Sequence, residues 1–204
     1  RPADWRVVHL GDYCDRGPDT KGVLDFLIAR QAGDERHICL RGNHDDGMLN
    51  FLRGSGEWRI FTQHGGETTA ASYGVEADFS TPWMIEASRD ALNMAMPAAH
   101  RAYLEGLRYS VTVGDLFLCH AGVRPGVPLE KQSAEDLMWI REPFHRHAGL
   151  YDKLIVHGHT PVETVDIRPN RVNLDTRAFA SGVLSGMCFE AERKRVLEVS
   201  GPRR

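Results

Sequence analysis

The sequence predicts an α/β fold, a two-sheet mixed β-sandwich flanked by helices in an αββα arrangement. Three observations predict it. Four short apolar runs, at 7–10, 38–40, 116–119 and 154–156, are each closely followed by glycine and read as buried strands. A single helix-length amphipathic segment separates the first two, which is the spacing of a βαβ unit with parallel strands and a right-handed crossover. The last third of the chain alternates strand-like segments with turns.

Taken in order, the first strand runs into the polar loop GDYCDRG (11–17). Asp19 then caps a helix whose Val23, Leu24, Leu27 and Ile28 share one face and which stops at Gly33. The second strand, 37–40, runs into RGNHDD (41–46). Residues 48–100 carry helix-length segments at 48–52, 58–61 and 82–94, and predict a mostly helical excursion or lid near the site. A further helix over 98–107 leads to a strand at 109–113, and Gly114-Asp115 turns it into the run at 116–119 as a hairpin. Residues 137–140 end a short helix, with Arg141 at its end. Strands are expected at 162–167, 171–174, 183–190 and 196–199, with turns at Pro169-Asn170 and 191–194.

The 204 residues suit one domain, 1–204, with a sizeable core. A formal charge of −3 and the lack of any basic stripe argue against nucleic acid, and the arginines of the C-terminal Pro202-Arg203-Arg204 read as a solvated tail. No apolar segment is long enough to span a membrane. Cys14, Cys39, Cys119 and Cys188 lie in or beside strands with no CxxC pair, the pattern of buried, reduced thiols in a cytoplasmic protein. A monomer is expected.

The strand ends carry the chemistry. In open α/β sheets ligands bind beyond the carboxyl ends of the strands, and there this chain concentrates Asp12, Asp15, Asn43, His44, His120 and His159. Carboxylate, carboxamide and imidazole together suit Mn²⁺, Fe or Zn²⁺ better than Mg²⁺ or Ca²⁺. An imidazole oriented by a carboxylate is suited to protonate a leaving alkoxide, and guanidinium forks such as Arg16 and Arg141 match phosphate oxygens. His9, His37, His100, His145 and His147 have no motif support and read as surface or core residues, while His157 reads as packing or support.

GDYCDRG, RGNHDD, CHAG (119–122) and HGHTP (157–161), with WIRE (139–142), SYGV (72–75) and LDT (174–176), resemble the phosphoprotein phosphatase branch of the calcineurin-like metallophosphoesterases, in its bacterial and phage form. The resemblance covers nearly the whole chain. It implies that Asp12 bridges two divalent ions, Mn²⁺ ahead of Fe or Zn²⁺, and that Asn43, His120 and His159 complete the second site. It also implies His44 as general acid oriented by Asp15, with Arg16, Arg141 and Asn43 on the phosphate. Direct attack by metal-bound hydroxide, without a phosphoenzyme, is the implied mechanism.

Three positions depart from the family pattern. The opening GDxHG, which supplies the other Asp and the His of the first metal site, is absent, so that site is expected to be incomplete and the first strand missing. The start at Arg1 rather than Met, and the cost of exposing a sheet edge, favour a removed segment over a truncated paralogue. Arg177 stands where the family has glycine, and His64 stands where bacterial relatives carry Asn. The expected activity is hydrolysis of phosphoserine and phosphothreonine monoesters, with a phosphoprotein or phosphopeptide as substrate. The alternatives are dinucleoside polyphosphate hydrolysis and a catalytically impaired phosphate- or partner-binding paralogue.

Overall fold

The computed structural model describes residues 4–201, so the start at Arg1 and the tail at Pro202-Arg203-Arg204 lie outside the described residues. The chain forms two compact units that divide between Arg108 and Tyr109.

In the first unit, strand β1 (Val7–His9) pairs in parallel with β2 (His37–Cys39), after the intervening helix α1 (Thr20–Gly33). Asp19 caps α1 by accepting the Gly22 N–H at 2.8 Å. Thr20, Leu24 and Leu27 form its buried stripe, whereas Val23, expected on that face, is exposed. The stripe is turned because the Thr20 hydroxyl meets that of Thr69 at 3.1 Å.

Helix α2 (Asn43–Arg53) begins five residues before the segment expected from apolar periodicity. Asp45 and Asp46 favour a helix N-terminus, and Asp45 reaches back to the Gly42 N–H at 2.8 Å. RGNHDD is therefore the entry turn of a helix. Helices α3 (Arg59–Gln63), α4 (Gly66–Ser72), α5 (Pro82–Ala95) and α6 (Ala98–Glu105) follow. The helical stretch shares one core with α1, centred on Leu24, Met48, Phe51, Phe61, Leu92 and Leu104. Phe51 stacks on Phe61 at 4.6 Å with Phe79 edge-on to both.

The second unit opens with the hairpin of β3 (Ser110–Val113) and β4 (Leu116–Cys119), with Gly114 at φ +56° in the turn. After a 3₁₀ turn at Leu129–Lys131 come α7 (Ala134–Trp139) and α8 (Glu142–His145). Strands β5 (Leu154–His157), β6 (Asp166–Ile167) and β7 (Arg171–Asn173) complete a five-stranded mixed sheet in the order β3-β4-β5-β7-β6. Only Asp166–Ile167 of the strand expected over 162–167 pairs, because the Val162 N–H goes instead to the Asp175 carbonyl at 2.9 Å. The short α9 (Ala178–Ser181) precedes a hairpin of β8 (Val183–Glu190) and β9 (Arg193–Ser200). Its turn is Ala191-Glu192, tighter than the stretch expected, with Ala191 at φ 51°.

The architecture is mixed α/β, with parallel and antiparallel pairings and helices beside the strands. Cys14, Cys39 and Cys119 are buried free thiols, while Cys188, expected to be buried, is only half-buried because it lies on the exposed β8-β9 hairpin. Among the described residues no helix is long and apolar enough to cross a membrane.

Candidate active site

In the first unit the GDYCDRG loop leaves β1 through the left-handed region of the backbone. Gly11 has φ +103°, and Asp12, Asp15 and Arg16 have φ of 60°, 68° and 60°. Each such residue bearing a Cβ costs about 1 kcal/mol or more, so neighbouring contacts must hold it there. Asp45 is the main one. Its buried carboxylate accepts the N–H groups of Asp12 and Tyr13, both at 2.9 Å, and that of Gly42 at 2.8 Å. Burial and the nearby Asp12 carboxylate push Asp45 up to about 6.

Two glycines let the strand ends meet. A Cβ on Gly42 would lie 2.1 Å from Asp12 Oδ1, and one on Gly11 would lie 2.5 Å from the Gly42 nitrogen. Asp12 Oδ1 in turn accepts the His44 backbone N–H at 3.1 Å. The carboxylate of Asp12 is thus drawn to the α2 N-terminus, where the helix dipole favours an anion.

His44 and Asp15, both buried, face each other with Nδ1 and Oδ2 2.6 Å apart. The other Asp15 oxygen accepts the Thr69 hydroxyl at 3.0 Å, and Thr69 Oγ1 accepts the Asp15 N–H at 2.7 Å. Burial alone would lower the His44 pKa, but the Asp15 hydrogen bond and the Asp12 and Asp15 charges outweigh it and raise the value. Since Asp15 takes Nδ1, the proton available for transfer is the one on Nε2. Asp12, Asp15, Arg16, Asn43 and His44 therefore share one corner of the first unit.

The second unit carries His120, Arg141 and His159. Parallel pairing of β4 and β5 brings their carboxyl ends to one edge of the sheet, where the Gly158 N–H donates to the His120 carbonyl at 2.7 Å. The His120 and His159 rings stand 5.2 Å apart, edge to face, and both residues are buried. His159 has φ 65°, and Thr160 behind it is gripped from two sides. Asn173 Nδ2 donates to the Thr160 carbonyl at 2.7 Å, and the His145 Nε2 lies 2.9 Å from the Thr160 hydroxyl. His157 is fully buried, with Nδ1 donating to the Gly158 carbonyl at 3.0 Å and Nε2 finding no hydrogen-bond partner among the described residues. Burial lowers its pKa to about 3.

Arg141 was expected at a helix C-terminus, but α7 ends at Trp139 and Arg141 is the exposed residue that starts α8. A cation there gains nothing from the helix dipole. Arg171 braces the far end of α8, donating from Nη2 to the His145 carbonyl at 3.1 Å with its guanidinium over the Phe144 ring. Arg177 sits at φ 54°, the conformation in which glycine is favoured, and its N–H donates to Asp175 Oδ1.

In the sequence Asp45 stands out only as part of the RGNHDD motif, and nothing there marks Thr69, Asn173 or Arg171. Asp45 was discoverable from its place three residues after Gly42 at a helix start. Thr69, Asn173 and Arg171 carry no local signal, since only the fold brings them to Asp15, Thr160 and α8.

By donor type, the His120 and His159 imidazoles of the second unit suit a divalent transition metal, and so, taken by themselves, do the Asp12 carboxylate and Asn43 carboxamide of the first. Among the described residues, no group of three His, Cys, Asp or Glu stands ready to hold a metal ion by itself.

A family model described as calcineurin-like phosphoesterase matches residues 6–186. The asymmetrical bis(5'-nucleosyl)-tetraphosphatase PrpE of Anoxybacillus flavithermus is 28% identical, over 92% of this chain and 77% of that protein. The same enzyme of Geobacillus thermodenitrificans is 27% identical with the same coverage. Among solved structures, a putative diadenosine tetraphosphatase superposes with a TM-score of 0.66 at 19% identity, covering 96% of this chain and 80% of that one. A metallophosphoesterase from Sphaerobacter thermophilus gives 0.56 at 20% identity, covering 98% and 78%. At such identities the superpositions speak for the fold alone.

Proposed function

The chain belongs to the calcineurin-like phosphoesterases, and we propose that it hydrolyses dinucleoside polyphosphates at a phosphoanhydride bond. The observation that carries the chemistry is the buried His44–Asp15 pair at 2.6 Å, backed by Thr69. The substrate class is supported by the tetraphosphatase relatives, which outweigh the motif-based preference for phosphoserine and phosphothreonine monoesters. An acid so placed can protonate either departing oxygen, so the pair itself does not choose between them.

In this reading Asp12 and Asn43 of the first unit, and His120 and His159 of the second, are the metal ligands, with Mn²⁺ the first ion to try. Bound divalent ions would supply Lewis acidity, making water a nucleophile near neutral pH and offsetting phosphoryl charge. The protein's own groups do the rest. Arg16 and Arg141, with the Asn43 amide, hold phosphate oxygens and oppose the charge that builds during transfer. His44 gives its Nε2 proton to the departing phosphate oxygen, while Asp15 keeps Nδ1 occupied and the ring in orientation. Water adds to phosphorus as the anhydride oxygen leaves, and the products are two nucleotides.

The test is a substrate panel with added Mn²⁺, Fe²⁺ or Zn²⁺. Diadenosine tetraphosphate, a phosphoserine peptide and p-nitrophenyl phosphate are compared by kcat/KM, with nucleotide products resolved chromatographically. Preference for the dinucleotide supports the proposal, and turnover of the peptide alone would overturn it. Metal content after chelation and reloading, measured on wild type and on His120→Ala and Asp12→Ala variants, checks the ligand assignment.

A further inference from the structure

His64 lies outside every role assigned above, yet its position is well determined. It is the C-cap residue that follows α3, and the elbow His64-Gly65-Gly66 leads straight into α4. The Gly65 carbonyl accepts the Arg16 N–H at 3.2 Å, and also the Thr68 hydroxyl at 2.7 Å. A Cβ on Gly65 would lie 2.6 Å from the Arg16 nitrogen, so the elbow touches the phosphate-binding loop backbone to backbone. The next residue of α4, Thr69, holds Asp15. One helical turn thus fixes both the acid pair and the His64 elbow.

The imidazole that results is exposed and stands edge to face with His44, ring centroids 6.4 Å apart. No hydrogen bond among the described residues occupies its ring nitrogens. Partial burial, and then the Arg16 and His44 charges, lower its pKa, so at neutral pH the ring offers one donor and one acceptor. A general acid must come within about 3 Å of the oxygen it protonates. Atoms one or two bonds beyond that oxygen then come within reach of a ring lying beside the acid.

We propose that His64 is a substrate-binding residue on the leaving-group side of His44, hydrogen-bonding a phosphate or hydroxyl oxygen beyond the scissile bond. It thereby favours large, oxygen-rich leaving groups over simple aryl ones. This rests on the reading of His44 as the general acid, and in the dinucleotide reaction the oxygen contacted belongs to the departing nucleotide's phosphate chain.

Kinetics of wild type, His64→Ala and His64→Asn on diadenosine tetraphosphate, a phosphoserine peptide and p-nitrophenyl phosphate test it. His64→Ala should lose about tenfold more kcat/KM on the dinucleotide than on the aryl ester, chiefly through KM, and His64→Asn should recover part of the loss. Equal losses on both substrates would mean that His64 merely orients His44, and would overturn the proposal. A loss under about twofold on the dinucleotide would overturn it as well. Should the wild type ignore the dinucleotide and cleave the peptide, the substrate assignment falls, and the peptide-to-aryl ratio then decides the role of His64. Should nothing be turned over, calorimetric binding of ADP decides it, with undiminished affinity in His64→Ala refuting the contact.

Discussion

Replacing Gly42 by alanine is the most direct test of how the first-unit corner is built. The Gly42 backbone, at φ −94° and ψ 170°, suits any residue, so the substitution introduces no conformational strain of its own. Its Cβ, however, would lie 2.1 Å from Asp12 Oδ1 and 2.5 Å from the Asp12 nitrogen. A tolerable contact needs about 3 Å, so the carboxylate must retreat by about 0.9 Å and the Asp12 backbone by about 0.5 Å, displacements of the size that cost about 100-fold in catalysis. The hydrogen bond from the His44 N–H to Asp12 stretches with it. Overpacking of this kind costs about 1–3 kcal/mol, and about 2–12 °C in Tm for a chain of this length. We therefore expect Gly42→Ala to fold, to melt several degrees lower, and to lose about two orders of magnitude in kcat/KM. Differential scanning fluorimetry, metal content and turnover of p-nitrophenyl phosphate report these separately. A variant with wild-type Tm and wild-type activity would refute the idea that close approach at Gly42 positions Asp12.

Asp15→Asn should lower kcat on phenyl phosphate by about 10²–10⁴ and affect p-nitrophenyl phosphate, with its better leaving group, far less; equal losses would count against acid catalysis by His44. Thr69→Val leaves the buried Asp15 N–H and one carboxylate oxygen short of a partner, which should cost about 1–3 kcal/mol in chemical denaturation. The folded-state pKa of His157, about 3, lies below the ordinary 6.5, so the unfolded chain takes up the proton first. Its contribution is complete above pH 6.5 and drains away as pH falls toward 3, by about 2 kcal/mol at pH 5. Stability of the chelated protein against pH should therefore be flatter in His157→Leu, and parallel curves would disprove the link.

How much of this was legible in the sequence follows the range of the signals. The strands of the core, the Asp19 cap and the Gly114-Asp115 hairpin are written in local periodicity and turn chemistry, and the structure has them nearly as expected. Helix α4 was missed because GETTAAS offers no apolar stripe; it forms because Thr68 and Thr69 are fastened to Gly65 and Asp15. The entry to α2 was placed late because its first turn is polar and is stabilised by capping rather than by burial periodicity. At the candidate site, motif residues announced themselves by type and position at strand ends. The residues that hold them, Asp45, Thr69, Asn173 and Arg171, act across sequence distances that no local pattern spans. Substrate preference was the least legible, since metal-binding and acid–base motifs report on the transferred phosphoryl group and not on what leaves it.

The left-handed backbone at Asp12, Asp15, Arg16 and His159 has a consequence for anyone seeking a hardier version of this protein. At each of these positions glycine would relieve about 1 kcal/mol of steric cost, offset only in part by the entropy it adds to the unfolded chain. A selection scored by heat resistance would therefore tolerate, or even reward, loss of the very side chains to which the proposed chemistry is assigned. Directed evolution here needs turnover as a second score, or those four codons held constant.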